Sequence, residues 1–403
     1  MMGRKTRTLT AGLAAVLILA LSGTSSYVTS SSAGARARQS GGAVASAAST
    51  SALAAAVRPS RTWQRLPPAP IPATYISTSV WTGREMLIFG RASRLYPALD
   101  FDVMASYRPA SRTWRRLPPG PGRKGATEGS DVAVWTGKEM IVWGSTTATF
   151  NPSTTRWRAL PPSPITGRAA PTLVVWTGRQ MIGWGGGCCG ESAADGAAYT
   201  PSTNSWQKLP ASPLAGRYAT GAWTGRELII AGGSNAENKV FADAAAYTPA
   251  TRSWRRLARL PVPLTQDVAV WDGHEVLLVG GRTQTEGRLH LLSQGFAYNP
   301  VTNRWRRLPS MGRGRLGAVA VWSGRQLLVW GGETLRGNSW VAPPHGVAYE
   351  PARNRWTPLP ASPLRGRTLS TAAWTGSQMI VWGGQSIEAA KPPSFNDGAA
   401  YTP

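Results

Sequence analysis

The chain has 403 residues, 42% of them apolar, enough to bury a packed core, which excludes a disordered polymer. Its 45 Gly and 32 Pro favour many turns and many short strands. Lys and Arg outnumber Asp and Glu by 44 to 19, a net charge of +25, so polyanions such as envelope polymers, acidic glycans, lipid headgroups or nucleic acid are eligible neighbours, while a merely solubilising surface is the plainer reading.

At the start of the chain, Arg4, Lys5 and Arg7 precede an apolar run over residues 9–21. That run is shorter than the ~20 residues a bilayer span needs. A basic segment before a short apolar one is the pattern of a secretory signal peptide, with Ala33-Gly34-Ala35 as a small-residue cleavage site. The expected division is a signal peptide over residues 1–35, a Ser/Ala/Gly-rich flexible linker over 36–57 and a folded domain over 58–403. A secreted or cell-surface protein follows; an uncleaved N-terminal membrane anchor is the alternative. No twin-arginine pair is present, and no Cys stands behind the apolar run to take a lipid.

Beyond residue 58 the chain repeats itself. Trp-x-Gly turns fall at Trp81, Trp135, Trp176, Trp223, Trp271, Trp322 and Trp374. Their spacing runs from 41 residues (Trp135 to Trp176) to 54 (Trp81 to Trp135). A second Trp series stands at Trp63, Trp114, Trp157, Trp206, Trp254, Trp305 and Trp356. Each unit holds four strand patterns. Strand a ends at the first Trp, as at Asp267 to Trp271. Strand b follows a Thr-Gly or Asp-Gly hairpin and ends in Gly-Gly, as at Gly280-Gly281. Strand c carries an Ala/Tyr run such as Ala197 to Tyr199, and strand d starts at the second Trp and stops at a Pro. Strands a and b are almost wholly apolar, as strands buried on both faces are.

Three units carry the Gly-Gly, Tyr and Trp signature best: Gly185-Gly186 with Tyr199 and Trp206, Gly232-Gly233 with Tyr247 and Trp254, and Gly383-Gly384 with Tyr401. This pattern resembles the kelch repeat. Units one and two depart from it: Gly90 and Gly144 stand alone, and Phe150 replaces the Tyr. The resemblance implies an all-β, seven-bladed kelch-type β-propeller, similar to the central domain of galactose oxidase, with four antiparallel strands per blade. Tyr401 is a strand c with no strand d behind it, and Trp63 a strand d with no strand c before it. The N-terminal strand is therefore expected to join the last blade and close the ring.

The a–b and c–d turns are short and alike. The b–c connections, such as residues 282–293 and 333–344, are long and all different. Variation confined to one set of loops marks the b–c end as the candidate binding face. Arg168, Arg217, Arg315 and Arg367 each follow a Gly just before strand a and are candidates to grip an anion at the channel mouth, or else structural arginines of the repeat. Asp131 and Asp267 stand four residues before the strand-a Trp, where other units carry Ser, Thr or Ala. They are candidate functional carboxylates or partners for those arginines. Trp340 lies in a long loop and is placed to stack on a ligand or to cover a blade edge. Asp195, Asp243, His345 and Asp397 share one slot four residues before the strand-c Tyr, which reads as a turn device. Adjacent Cys188 and Cys189 allow a strained vicinal disulfide, two thiols or links to another chain.

A galactose-oxidase-like copper site would need His and Tyr ligands, partly from a domain after the propeller. The chain has three His, without metal-ligand spacing, and the propeller pattern runs to Pro403, so no metal or cofactor is expected. The expected function is a non-catalytic, monomeric binding propeller. It takes a protein, carbohydrate or envelope polymer at the b–c face and no specific nucleic acid, with electrostatic contact to an anionic envelope. The alternative is a carbohydrate-active enzyme resembling sialic acid mutarotases, with the arginines and an Asp handling a carboxylated sugar.

Overall fold

A computed structural model describes residues 61–74, 76–93, 100–122, 131–165, 171–187, 191–285, 288–387 and 394–403. The expected signal peptide and linker over residues 1–57 lie outside these, as do Arg168, Cys188 and Cys189.

Seven antiparallel sheets follow one another along the chain. Blade four shows the plan: Tyr218–Trp223, Leu228–Ser234, Ala244–Thr248 and Ser253–Arg256 pair in that order. The innermost strands of successive blades touch around a closed circle, and Ile76–Trp81 of blade one meets Thr371–Trp374 of blade seven. The last sheet orders Thr371–Trp374, Met379–Trp382 and Gly398–Thr402, then Thr62–Arg65 as its outer strand. Thr62 pairs with Thr402 and Trp63 with Tyr401. The chain is thus a seven-bladed propeller of four-stranded blades, closed by its first strand.

Seven buried apolar clusters occupy the seven spaces between neighbouring blades. Each strand-d Trp is a clasp across such a space. Its indole N–H donates to a backbone carbonyl at the end of strand d in the preceding blade, from Trp206 to Pro161 at 2.8 Å to Trp63 to Pro360 at 3.1 Å. The extra Trp residues of strand b fill the same spaces from the other side: Trp143 packs on Trp206, Trp184 on Trp254, Trp330 on Trp63 and Trp382 on Trp114. A closed ring suits this scheme, because every blade buries two faces and none is left as a cap.

One charge pairing follows the repeats. Where the a–b turn ends in Glu, strand d carries Arg after its Trp: Glu85 with Arg115, Glu139 with Arg158, Glu227 with Arg255 and Glu275 with Arg306. Where that turn ends in Gln, at Gln180, Gln326 and Gln378, the strand-d residue is Gln207, Thr357 or Gln64. Gln64 therefore matches blade seven in side-chain chemistry as well as in register.

The b–c connections differ from the expected loops in three blades. In blade one, Met86–Ser93 and Asp100–Arg108 continue pairing out to Ser93 and Asp100. In blade five, Val276–Thr285 pairs a further strand, Arg288–Leu291. In blade six, Thr334–Arg336 and Ser339–Val341 form a separate two-stranded hairpin. Their backbone polar groups leave the blade but still need partners, and pairing with each other satisfies them.

Candidate functional site

The b–c end carries every described candidate residue, on two levels. The lower level lies inside the fold. Arg217, just before the inner strand of blade four, is fully buried. Its Nη1 donates to Asp243 Oδ1 (2.5 Å) and to the Gly232 carbonyl (3.2 Å), its Nη2 to Asp243 Oδ2 (3.1 Å), and its Nε to the Ala215 carbonyl (2.9 Å). The guanidinium also stacks on Phe241, 3.9 Å from the ring centre. Burial pushes the Asp243 carboxyl up, but the Arg217 hydrogen bond and charge bring it below the ordinary aspartate value. Arg367 repeats the arrangement in blade seven with Asp397 (2.6 Å), the Gly383 carbonyl (3.1 Å) and Phe395 (4.0 Å). In blade six His345 fills the Asp slot, and Arg315 takes its backbone carbonyl instead (2.7 Å) together with that of Gly331 (3.1 Å).

These three arginines lie beneath the mouth, and their guanidiniums brace strand b to the start of strand c within one blade. Their carboxylate partners are Asp243 and Asp397. The slot that reads as a turn device in sequence thus also supplies the counter-charge. Asp131 and Asp267, candidate carboxylates or partners for those arginines, pair with none of Arg217, Arg315 and Arg367. Asp131 sits 3.8 Å from Arg91 of blade one, and its Oδ1 accepts the Thr146 N–H at 3.1 Å. Asp267 accepts the Thr220 hydroxyl at 3.2 Å, across the seam between blades four and five.

Both carboxyls are buried, and burial is the main cause of their shifts. Burial pushes Asp131 up to about 6, against the pull of the Thr146 N–H and Arg91. Asp267 is pushed up to about 7, and its Oδ2 is buried without a hydrogen-bond partner. Asp102 joins the blade-one cluster: its Oδ2 accepts the Thr146 hydroxyl at 3.2 Å, and burial raises its carboxyl too. Chemically these are protonatable groups inside the blade seams. Among the described residues, no group of three or more His, Cys, Asp or Glu side chains is placed to hold a metal ion.

The upper level is the hairpin of blade six. Gly337, at φ +61°, allows the tight turn between its strands, because a side chain would be strained there. Leu335 and Trp340 face each other across it and are 40% and 46% exposed. Arg313 donates to the Leu335 carbonyl at 3.4 Å, and Arg336 is exposed beside it. Trp340 thus leaves about half of its surface to solvent. Leu335 escaped the sequence reading. The Gly337-Asn338 pair between two short alternating segments was the available signal, since that dipeptide marks a two-residue hairpin. Arg91 and Asp102 were hidden because blade one departs from the repeat exactly where they stand.

A family model described as Attractin/LZTR1 beta-propeller matches residues 181–396, 216 of the 403 residues. No curated protein matches the chain.

Proposed function

The chain belongs to the Attractin/LZTR1 beta-propeller family, and on that premise we propose that it is a binding platform that docks a protein partner on its b–c face. The observation that carries this reading is the exposed Leu335–Trp340 pair on a hairpin raised above the blades. A projecting aromatic beside an aliphatic and an Arg is the side-chain set that anchors protein interfaces. The strand extension of blade five, up to Leu291, stands next to it and widens the surface. Arg217, Arg315 and Arg367 are committed to internal partners, which favours a protein contact over a grip on a carboxylated sugar. The basic and apolar N-terminal residues, read as an export signal, support a partner outside the cell.

The test is a photo-crosslinking residue at position 340 in producing cells, with position 226 on the opposite end as control. One protein captured from position 340 and not from 226, whose purified complex weakens about thirtyfold or more in Trp340→Ala, supports the reading. Equal capture from both ends, or binding competed away by a simple sugar, overturns it.

A further inference from the structure

The end opposite the b–c face carries a second surface. There the a–b turns present one exposed side chain each beyond their Gly: Arg84, Lys138, Arg179, Arg226, His274, Arg325 and Ser377. Each follows a Gly with φ between +86° and +101°. Each turn is closed by one backbone bond of 2.9–3.1 Å, as from Thr82 to Glu85 and from Asp272 to Glu275. Seven turns of one length and one geometry hold their tips at one level, so Arg and Lys stand on five of seven tips around the axis. Arg84, Lys138, Arg179 and Arg226 make no ion pair with a described residue, and Arg325 alone of the five reaches a carboxylate, Glu350 at 3.1 Å. Of the acids of these turns, Glu85, Glu139, Glu227 and Glu275 are taken by strand-d arginines, which leaves Asp272, whose Oδ1 accepts the His274 and Glu275 N–H groups of its own turn, as the one acid against five cations. Further out, Arg156, Arg304 and Arg355 are exposed at the starts of strand d.

We infer that this short-turn end docks on an anionic lipid bilayer. Three observations favour a bilayer over other polyanions. The cations form a level ring, which a plane of headgroups meets at once; a strand of nucleic acid would need a stripe or groove and aromatic platforms. The c–d turn tips between them are small and uncharged (Ala110, Ser153, Ser202, Ala250, Ala352), and at Val301 the tip is apolar and 91% exposed. The chain also enters the propeller from this end. Thr62 pairs with Thr402, the last residue of strand c, so Thr62–Arg65 starts beside the c–d turns. The segment before residue 61 is therefore joined to the cationic end, and in the uncleaved-anchor reading Arg4, Lys5, Arg7 and the apolar run at 9–21 would tether the propeller by this end. A face docked in this way turns the b–c hairpins away from the lipid. The inference does not depend on what the b–c face binds.

The experiment measures partition of the full chain onto phosphatidylglycerol/phosphatidylcholine vesicles and onto phosphatidylcholine alone. The ratio of the two removes any contribution of the apolar N-terminal run. A ring variant carries Arg84→Glu, Lys138→Glu, Arg179→Glu and Arg226→Glu. A rim variant of equal charge carries Arg116→Glu, Arg256→Glu, Arg259→Glu and Arg307→Glu. With about fivefold per cation near the surface, the ring variant should lose on the order of a thousandfold or more in the ratio, and the rim variant under about threefold. Gln in place of Glu at the ring positions serves if the Glu variant does not fold. An unchanged ratio in the ring variant, an equal loss in the rim variant, or tighter ring-dependent binding to duplex DNA of equal charge concentration overturns the inference.

Discussion

Trp63, in the first strand, packs on Tyr401 in the last, with ring centres 5.1 Å apart. The same indole packs on Trp330 of blade six at 6.0 Å and donates to the Pro360 carbonyl. Arg61 donates to the Tyr401 hydroxyl at 3.2 Å. One short strand thus closes a sheet and a blade seam together.

Trp63→Ala should therefore cost about 3 kcal/mol, the lower end of the range for truncating a core Trp, because Trp63 is part-buried. Urea unfolding compares it with Trp206→Ala, which sits at the equivalent place in blade three. Equal losses would show that the junction works as an ordinary seam. An unchanged midpoint for Trp63→Ala would show that the junction contributes nothing to stability.

The Arg217–Asp243 pair braces the rim from inside, with the guanidinium fully buried. Removing one partner of a buried pair leaves the other uncompensated, so Asp243→Ala should cost about 3–5 kcal/mol. Arg217→Lys should not restore stability, because an ammonium cannot bond both carboxylate oxygens, the Gly232 carbonyl and the Ala215 carbonyl together. Thermal unfolding of the two variants checks both statements.

Asp267 makes stability depend on pH. Its folded value of about 7 lies above its ordinary 3.8, so between these values the folded chain holds a proton that the unfolded chain has released. Stability contributed at this site therefore falls as pH rises through that window, with no penalty below it and the full penalty above about 7. Asp267→Asn should be more stable than the parent above the window, and the difference should vanish at its acid end. Unfolding midpoints across pH decide this; a parallel pair of curves would rule it out.

The blade-six hairpin separates stability from binding. Leu335 and Trp340 are exposed, so Leu335→Ala and Trp340→Ala should each change stability by less than about 0.5 kcal/mol. Partner binding should fall by about 2 kcal/mol or more for Trp340→Ala. Calorimetry on the purified complex, beside a melting curve, reads both.

The repeat made the fold legible. Paired Trp series near a 50-residue period, Gly-Gly ends and two-residue turns are local devices, each forced by the geometry of one hairpin. The closing strand was legible as well, because Trp63 and Tyr401 each lacked a partner within their own unit. The matching of Glu in the turn with Arg in strand d, and of Gln in the turn with an uncharged Gln or Thr, was present in the letters and awaited only the register to be recognised.

The site was less legible. Arg217 and Arg367 stand in a slot that sequence alone permits to face solvent, and Asp243 and Asp397 in one that reads as turn chemistry. Their meeting depends on strand b folding back beneath the mouth through Gly232-Gly233 and Gly383-Gly384, which places the guanidinium against the start of strand c.

The sequence by itself determined the number of blades, the order of strands within them and which end varies, since these rest on contacts between residues close in the chain. Tertiary structure alone decided which charges are spent and which are free. Arg217 and Arg226 lie nine residues apart at opposite ends of one strand hairpin, yet one is sealed against an Asp and the other stands in water. Burial and partner geometry separate them, and both arise only when seven blades close around one axis.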